Sequence, residues 1–255
     1  DDNEVHNLRK ICDEIFGERN FVEQFIVRSN PRGNQAKKYT ASEHECILCY
    51  TKNFQCFSPL GFPKTAKEYN KKDDKGLYRE LGLRKRGAGA RREDAPNQYF
   101  PIYYNPKTKE IDIVKKSDGF VEIIPKLSDG TDGRWRWSKK SVLQRKEELL
   151  VRLVNRAGGK EYDVFQKDYF TKDKISKIKS IIYSKEVNYE NGTEELRELF
   201  NGIKLFDYPK PVYLIYHLLS STLRDDAIIL DFFSGSATTA HAVMDLNAED
   251  GGNRK

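Results

Sequence analysis

The chain has 255 residues, room for one large α/β domain or for a core with an insertion, and combines 38% hydrophobic and 33% charged residues with a formal net charge of +6. Its 12% aromatic content is that of a folded chain rather than a disordered tail, and the charge permits a polyanionic partner without demanding one. No run approaches the roughly 18 apolar residues of a membrane span, the start Asp1-Asp2-Asn3-Glu4 is the opposite of a signal peptide, and four cysteines are too few for a disulfide framework, so a cytoplasmic protein is expected.

In chain order, Asp2 or Asn3 caps a predicted helix whose apolar positions Val5, Leu8, Ile11, Cys12, Ile15 and Phe16 recur at helical spacing and stop at Gly17. Two strand-like runs, 21–28 and 45–52, follow as an expected antiparallel pair. Composition shifts near Phe54. From Lys64 to Arg92 there are eleven Lys or Arg against four Asp or Glu, a local excess of 7 positive charges that exceeds the net charge of the chain. Short strands are expected over 99–104, 111–115 and 120–124, a helix over 138–154, and β structure again up to Phe170. Pro211 suits the first turn of an apolar helix over 212–219. Ala227 to Phe233 is continuous and apolar except for Asp231, as for a strand buried in a parallel sheet. A turn at Ser234-Gly235-Ser236 and a helix through Ala240, Val243 and Met244 come next. The chain stops at Lys255, where a parallel α/β unit is expected to return to a strand, so the sequence reads as a piece of a larger protein.

His44-x-Cys46-x-x-Cys49 with Cys56 matches zinc spacing superficially. On a strand, however, Cys46 and Cys49 point to opposite faces, and the filler is Ile47-Leu48 rather than a turn, so a buried apolar strand is expected and no metal. Asp231-Phe232-Phe233-Ser234-Gly235-Ser236-Ala237-Thr238 is the sharper signal. Gly235 can take a positive φ, Ser236 and Thr238 can donate hydroxyls, and the following helix start offers unpaired N–H groups to a ligand. The loop lacks both the Walker and the dinucleotide glycine spacing. A plain strand, turn and helix remains the other reading, weakened by a carboxylate inside an apolar strand.

Arg84, Lys85, Arg86, Arg91 and Arg92 place five cations in nine residues around Gly87 and Gly89. Such a loop can follow phosphates or reach guanine edges, and it can equally be a solvated face. In Arg134-Trp135-Arg136-Trp137 the arginines share one strand face and the tryptophans the other, which fits either a contact surface or a core edge with tryptophans in and arginines out.

The order Phe206-x-x-Pro209-Lys210-Pro211, then Asp231-Phe232-Phe233-x-Gly235-Ser236-x-Thr238-Thr239-Ala240-His241-Ala242, resembles motifs X and I of the permuted amino methyltransferases, most closely the Mod subunits of type III restriction-modification systems. Ala237 stands where many other relatives have glycine. The resemblance implies an incomplete Rossmann-like α/β core over 1–54 and 201–255, with an inserted α+β target-recognition region over 55–200. It implies S-adenosylmethionine held by Phe206, Lys210, Asp231, Phe232, Phe233, Ser234, Gly235, Ser236 and Thr238. It further implies double-stranded DNA met by Arg84, Lys85, Arg86, Arg91, Arg92, Arg134, Trp135, Arg136 and Trp137, together with a restriction (Res) subunit and a homodimer as partners. The catalytic Asp-Pro-Pro-Tyr motif of the family, with its Asn and Ser variants, occurs nowhere in the sequence, so no catalytic residue is expected here and the isolated chain is expected to be inactive. The parent activity implied is DNA adenine-N6 methylation. A non-catalytic nucleic-acid-binding module and an RNA-directed methyltransferase are the alternatives.

Overall fold

The computed structural model describes residues 3–34, 39–156 and 158–255. The elements in chain order begin with helix α1 (Val5–Phe16) and strands β1 (Phe21–Val27), β2 (Glu45–Tyr50) and β3 (Gly61–Pro63). Next come β4 (Lys71–Asp73), β5 (Gly76–Gly82), β6 (Ile102–Tyr104), β7 (Ile111–Asp112), β8 (Val121–Ile123), helix α2 (Lys139–Gln144), β9 (Leu149–Arg156) and β10 (Gly159–Tyr169). Strands β11 (Ile175–Lys177) and β12 (Ile181–Ile182) and helices α3 (Tyr189–Leu199), α4 (Val212–Ser220) and α5 (Thr238–Asp250) complete the chain. This mixture of helix and sheet divides into two compact units, one formed by 1–63 with 175–255 and the other by 64–174. Strands β3 and β11 pair with each other and lie outside the internal unit.

In the first unit β1 lies between β12, parallel to it, and β2, antiparallel, with Phe25 opposite Ile47. Phe25, Val27, Ile182, Val187 and Leu214 form its core, with Cys49 packed against them. The Sγ of Cys46 instead accepts from Gln24 Nε2 at 3.4 Å, and that of Cys56 accepts from Asn53 at 3.5 Å. No three His, Cys, Asp or Glu side chains among the described residues are grouped to hold a metal ion. Helix α1 starts after Glu4; Asp2, one of its two expected caps, lies outside the described residues. The helix docks by its polar edge: Asp13 accepts from the Tyr50 hydroxyl at 2.7 Å, Arg9 lies 3.5 Å over the Phe21 ring, and Leu8, Ile11 and Ile15 are exposed.

The expected strand 227–233 is corrected by the structure. The segment joins no sheet among the described residues, and its backbone pairing there is limited to Ile229 N–H on Lys255 O (2.7 Å) and Lys255 N–H on Ala227 O (3.0 Å). A single partner residue cannot set a strand register, and Ile228, Leu230, Phe232 and Phe233 stay exposed. Asp231 is therefore an exposed carboxylate and not a buried one.

In the internal unit, β4, β5, β10 and β9 form an antiparallel sheet in that order, and β7, β6 and β8 form a smaller one. Leu83, Phe100, Ile102, Trp135, Val142 and Val164 are among the core residues. The expected helix 138–154 is realised only over Lys139–Gln144, capped by Ser138, whose Oγ accepts from Ser141 N–H at 3.2 Å. After a short 3-10 turn over Lys146–Glu148 the chain enters β9, in register with β10 from Leu149 opposite Gln166 to Arg156 opposite Gly159. Local helical periodicity gives way here to long-range pairing of a Val- and Leu-rich segment.

No helix among the described residues is long and apolar enough to cross a membrane.

Candidate functional site

The loop before α5 is built by its own polar groups. Asp231 Oδ1 accepts from Phe233 N–H at 3.0 Å and Oδ2 from the Thr239 hydroxyl at 2.7 Å; the Thr239 bond first, then that from Phe233, holds the carboxyl below its ordinary range. Gly235 (φ 52°) and Ala237 (φ 59°) are both left-handed, and Ala237 N–H closes the turn on Ser234 O at 2.7 Å. Ala237 carries a methyl where glycine would be free of strain, a cost of roughly 1–2 kcal/mol. The Ser236 and Thr238 hydroxyls are 2.9 Å apart.

The segment 206–211 meets this loop. The Phe206 ring edge stands 3.9 Å from where a side chain on Gly235 would begin, and the Thr238 hydroxyl donates to the Lys210 carbonyl at 3.2 Å. The two motifs, separated in sequence, thus come together at the start of α5. Phe232 and Phe233 do not join them: they are 82% and 89% exposed. The Lys210 ammonium is held by Glu45 at 2.6 Å and by the Tyr189 hydroxyl. Burial opposes its charge, but these two bonds outweigh it and raise its pKa.

Helix α3 backs the segment, and sequence reasoning missed it. Gly192 lies against the Pro209 and Lys210 backbone so closely that a Cβ there would stand 2.6 Å from Pro209 O. Glu195 accepts from Val212 N–H, the first of α4, at 3.0 Å. The readable signal was a glycine inside a helical run, which indicates a packing reason. A cleft of about 250 Å³ runs between α3, Pro209–Lys210 and the start of α5, lined by Leu196, Leu199, Phe200, Ser236, Thr238 and Met244 among others.

In the internal unit, residues 84–92 run antiparallel to 132–136, through bridges Arg84 to Trp135 and Arg91 to Gly133 and a Lys85 N–H bond to Arg134 O at 2.9 Å. Two basic clusters about fifty residues apart in sequence become neighbours. Their members then separate by role. Arg84 is almost buried, donating to Lys126 O and lying 4.0 Å from Asp163; burial first lowers its pKa. Arg134 holds the glycine turn by donating to Gly89 O at 2.5 Å and also bonds Gln98. Arg92 pairs with Asp132 at 3.2 Å. Lys85, Arg86, Arg91 and Arg136 form no ion pair among the described residues, and the three arginines are exposed.

Trp135 and Trp137 are corrected as contact candidates. Trp135 is 0% exposed, with its Nε1–H on Phe100 O at 2.8 Å, and Trp137 is buried beneath Arg145. Of the two readings of the Arg-Trp alternation, the one with tryptophans in and arginines out is realised, because burying an indole gains far more than burying a guanidinium.

Residues 1–249 match the model of the DNA methylase family. The chain belongs to that family. It is 37% identical over 256 residues to the type II methyltransferase M.KpnI of Klebsiella pneumoniae, covering 100% of this chain and 59% of that protein. It is 35% identical to the EcoPI Mod subunit of a type III restriction-modification enzyme from Escherichia phage P1, covering 100% of this chain and 40% of that protein. The StyLTI Mod subunit of Salmonella typhimurium is 28% identical over 100% of this chain and 35% of its own length. The chain therefore spans between about a third and three fifths of these relatives.

Proposed function

We propose that the chain is the DNA-recognition and cofactor-binding part of a site-specific DNA adenine-N6 methyltransferase of the type III Mod kind, with a Rossmann-like core and with unit 64–174 as the target-recognition region. The observation that carries this reading is the meeting of Phe206 and Lys210 with the Gly235 to Thr238 turn. In this reading S-adenosylmethionine is the cofactor, duplex DNA the substrate and a restriction (Res) subunit the partner; a homodimer and a cytoplasmic setting go with it.

The residues fit such a cofactor. The face of Gly235 is open, since a Cβ there would meet nothing closer than 3.7 Å, and an aromatic ring flanks it. Ser234, Gly235, Ser236 and Phe206 would hold the cofactor, while Asp231, engaged by Thr239 and Phe233, fixes the turn. When bound, the cofactor supplies an electrophilic methyl group. The task of this chain is to orient it in line with an amine that is brought out of the duplex. The residues that bind that amine in the family are outside this sequence.

Gly235→Val tests the reading. A β-branched residue at φ 52° is strained, and its side chain enters the space beside Phe206. Calorimetry on the full-length polypeptide carrying this sequence should show affinity for S-adenosylmethionine reduced more than about tenfold, the equivalent of about 1.4 kcal/mol, with DNA affinity kept. Unchanged cofactor affinity would contradict the assignment.

A further inference from the structure

The family resemblance implies that the side chain of Lys210 lines the cofactor pocket, yet its ammonium is engaged elsewhere. Glu45, the first residue of β2, holds it at 2.6 Å, and the hydroxyl of Tyr189, the first residue of α3, accepts from it. The same ammonium lies 4.2 Å over the Tyr189 ring. What Lys210 offers the loop is its main chain: its carbonyl accepts from Thr238, whose hydroxyl also meets that of Ser236. We propose that Glu45 and Tyr189 are positioning residues for the Gly235 to Thr238 turn, acting through Lys210.

The geometry supports this from three sides. The segment 209–212 is pinned to α3 at Tyr189 through Lys210, at Gly192 through backbone packing and at Glu195 through the Val212 N–H. The Glu45 bond adds a fourth attachment, to the sheet. With the ammonium fixed, the Lys210 carbonyl faces Thr238, and α5 starts where the turn requires it. Preorganisation of this kind raises affinity by removing the cost of ordering the loop on binding.

The proposal rests on the reading of this loop as an S-adenosylmethionine site, and the test separates the two. Binding to the full-length polypeptide is measured with two probes, S-adenosylhomocysteine and 5′-methylthioadenosine, the second lacking the amino acid carboxylate. Glu45→Gln, Tyr189→Phe and Lys210→Met should each weaken both probes by a similar factor of about tenfold, the size of one charge-assisted hydrogen bond. Lys210→Arg should restore most of it. A direct ion pair between Lys210 and a cofactor carboxylate gives the opposite pattern. Lys210→Met would then weaken only the carboxylate-bearing probe, and Glu45→Gln, by freeing the ammonium, would leave binding unchanged or tighten it; either result overturns the proposal. A wild-type protein that binds neither probe overturns the cofactor reading itself, and with it the positioning role. Melting temperatures of the variants should stay close to wild type, since Glu45 and Lys210 are half exposed; a loss of binding that tracks a loss of folding would overturn the positioning role.

Discussion

Replacing Lys85, Arg86, Arg91 and Arg136 together with alanine is expected to weaken duplex binding and to flatten its salt dependence. Each lost phosphate contact lowers the slope of log affinity against log salt by about 0.9, so four contacts lower it by about 3.6. These four are chosen because they form no ion pair among the described residues, on two segments joined by backbone hydrogen bonds at Lys85 and Arg136. Arg84 and Arg134 lie on the same segments but are spent on Lys126 O, Asp163, Gly89 O and Gln98. Their loss should disturb the turn and not simply remove charge. The fourfold variant should keep its thermal stability, because surface substitutions usually change it by about 0.5 kcal/mol or less. Salt titrations by filter binding or fluorescence anisotropy check this. An unchanged slope would make the cluster a solvated face.

Trp135→Ala is expected to act on the fold of the internal unit. Removing a fully buried indole from a packed core costs about 3–5 kcal/mol, and the Phe100 carbonyl that accepts its N–H is left buried without that partner, adding about 1–3 kcal/mol. Chemical denaturation should therefore show the internal unit unfolding at much lower denaturant. DNA binding should fail only in step with that loss. A variant of unchanged stability that no longer binds DNA would return Trp135 to the contact surface and contradict the burial assigned here.

How far the sequence was legible follows from the range of each interaction. The turn at Ser234 to Thr238, the stop of α1 at Gly17 and the start of α4 after Pro211 depend on neighbours a few residues apart, and capping and turn chemistry express them directly. The antiparallel pairing of β1 with β2 was likewise readable from alternation and a polar connection. Residues 138–154 were not, since Leu149–Arg156 satisfies a helical period as well as a strand, and β10 decides between them. The segment 227–233 was read wrongly as a buried strand, because its apolar composition says nothing about whether neighbours are there to pair with it, and among the described residues only Lys255 shares backbone hydrogen bonds with it. For the site, residue types pointed to the loop and the basic clusters, while the bond between Lys210 and Glu45 joins residues 165 positions apart. No local pattern encodes that.

In the proposed function this chain holds a cofactor loop and a DNA surface but not the residues that bind the target amine. Analysis of nucleosides released from duplex DNA after incubation with S-adenosylmethionine tests it most directly, with the full-length polypeptide and with residues 1–255 alone run side by side. The expected result is N6-methyladenine from the full-length polypeptide and no methylated nucleoside from residues 1–255, which contain no Asp-Pro-Pro-Tyr segment or Asn or Ser variant of it. Robust methylation by residues 1–255 alone, N4-methylcytosine in place of N6-methyladenine, or transfer to structured RNA in preference to duplex DNA would contradict it.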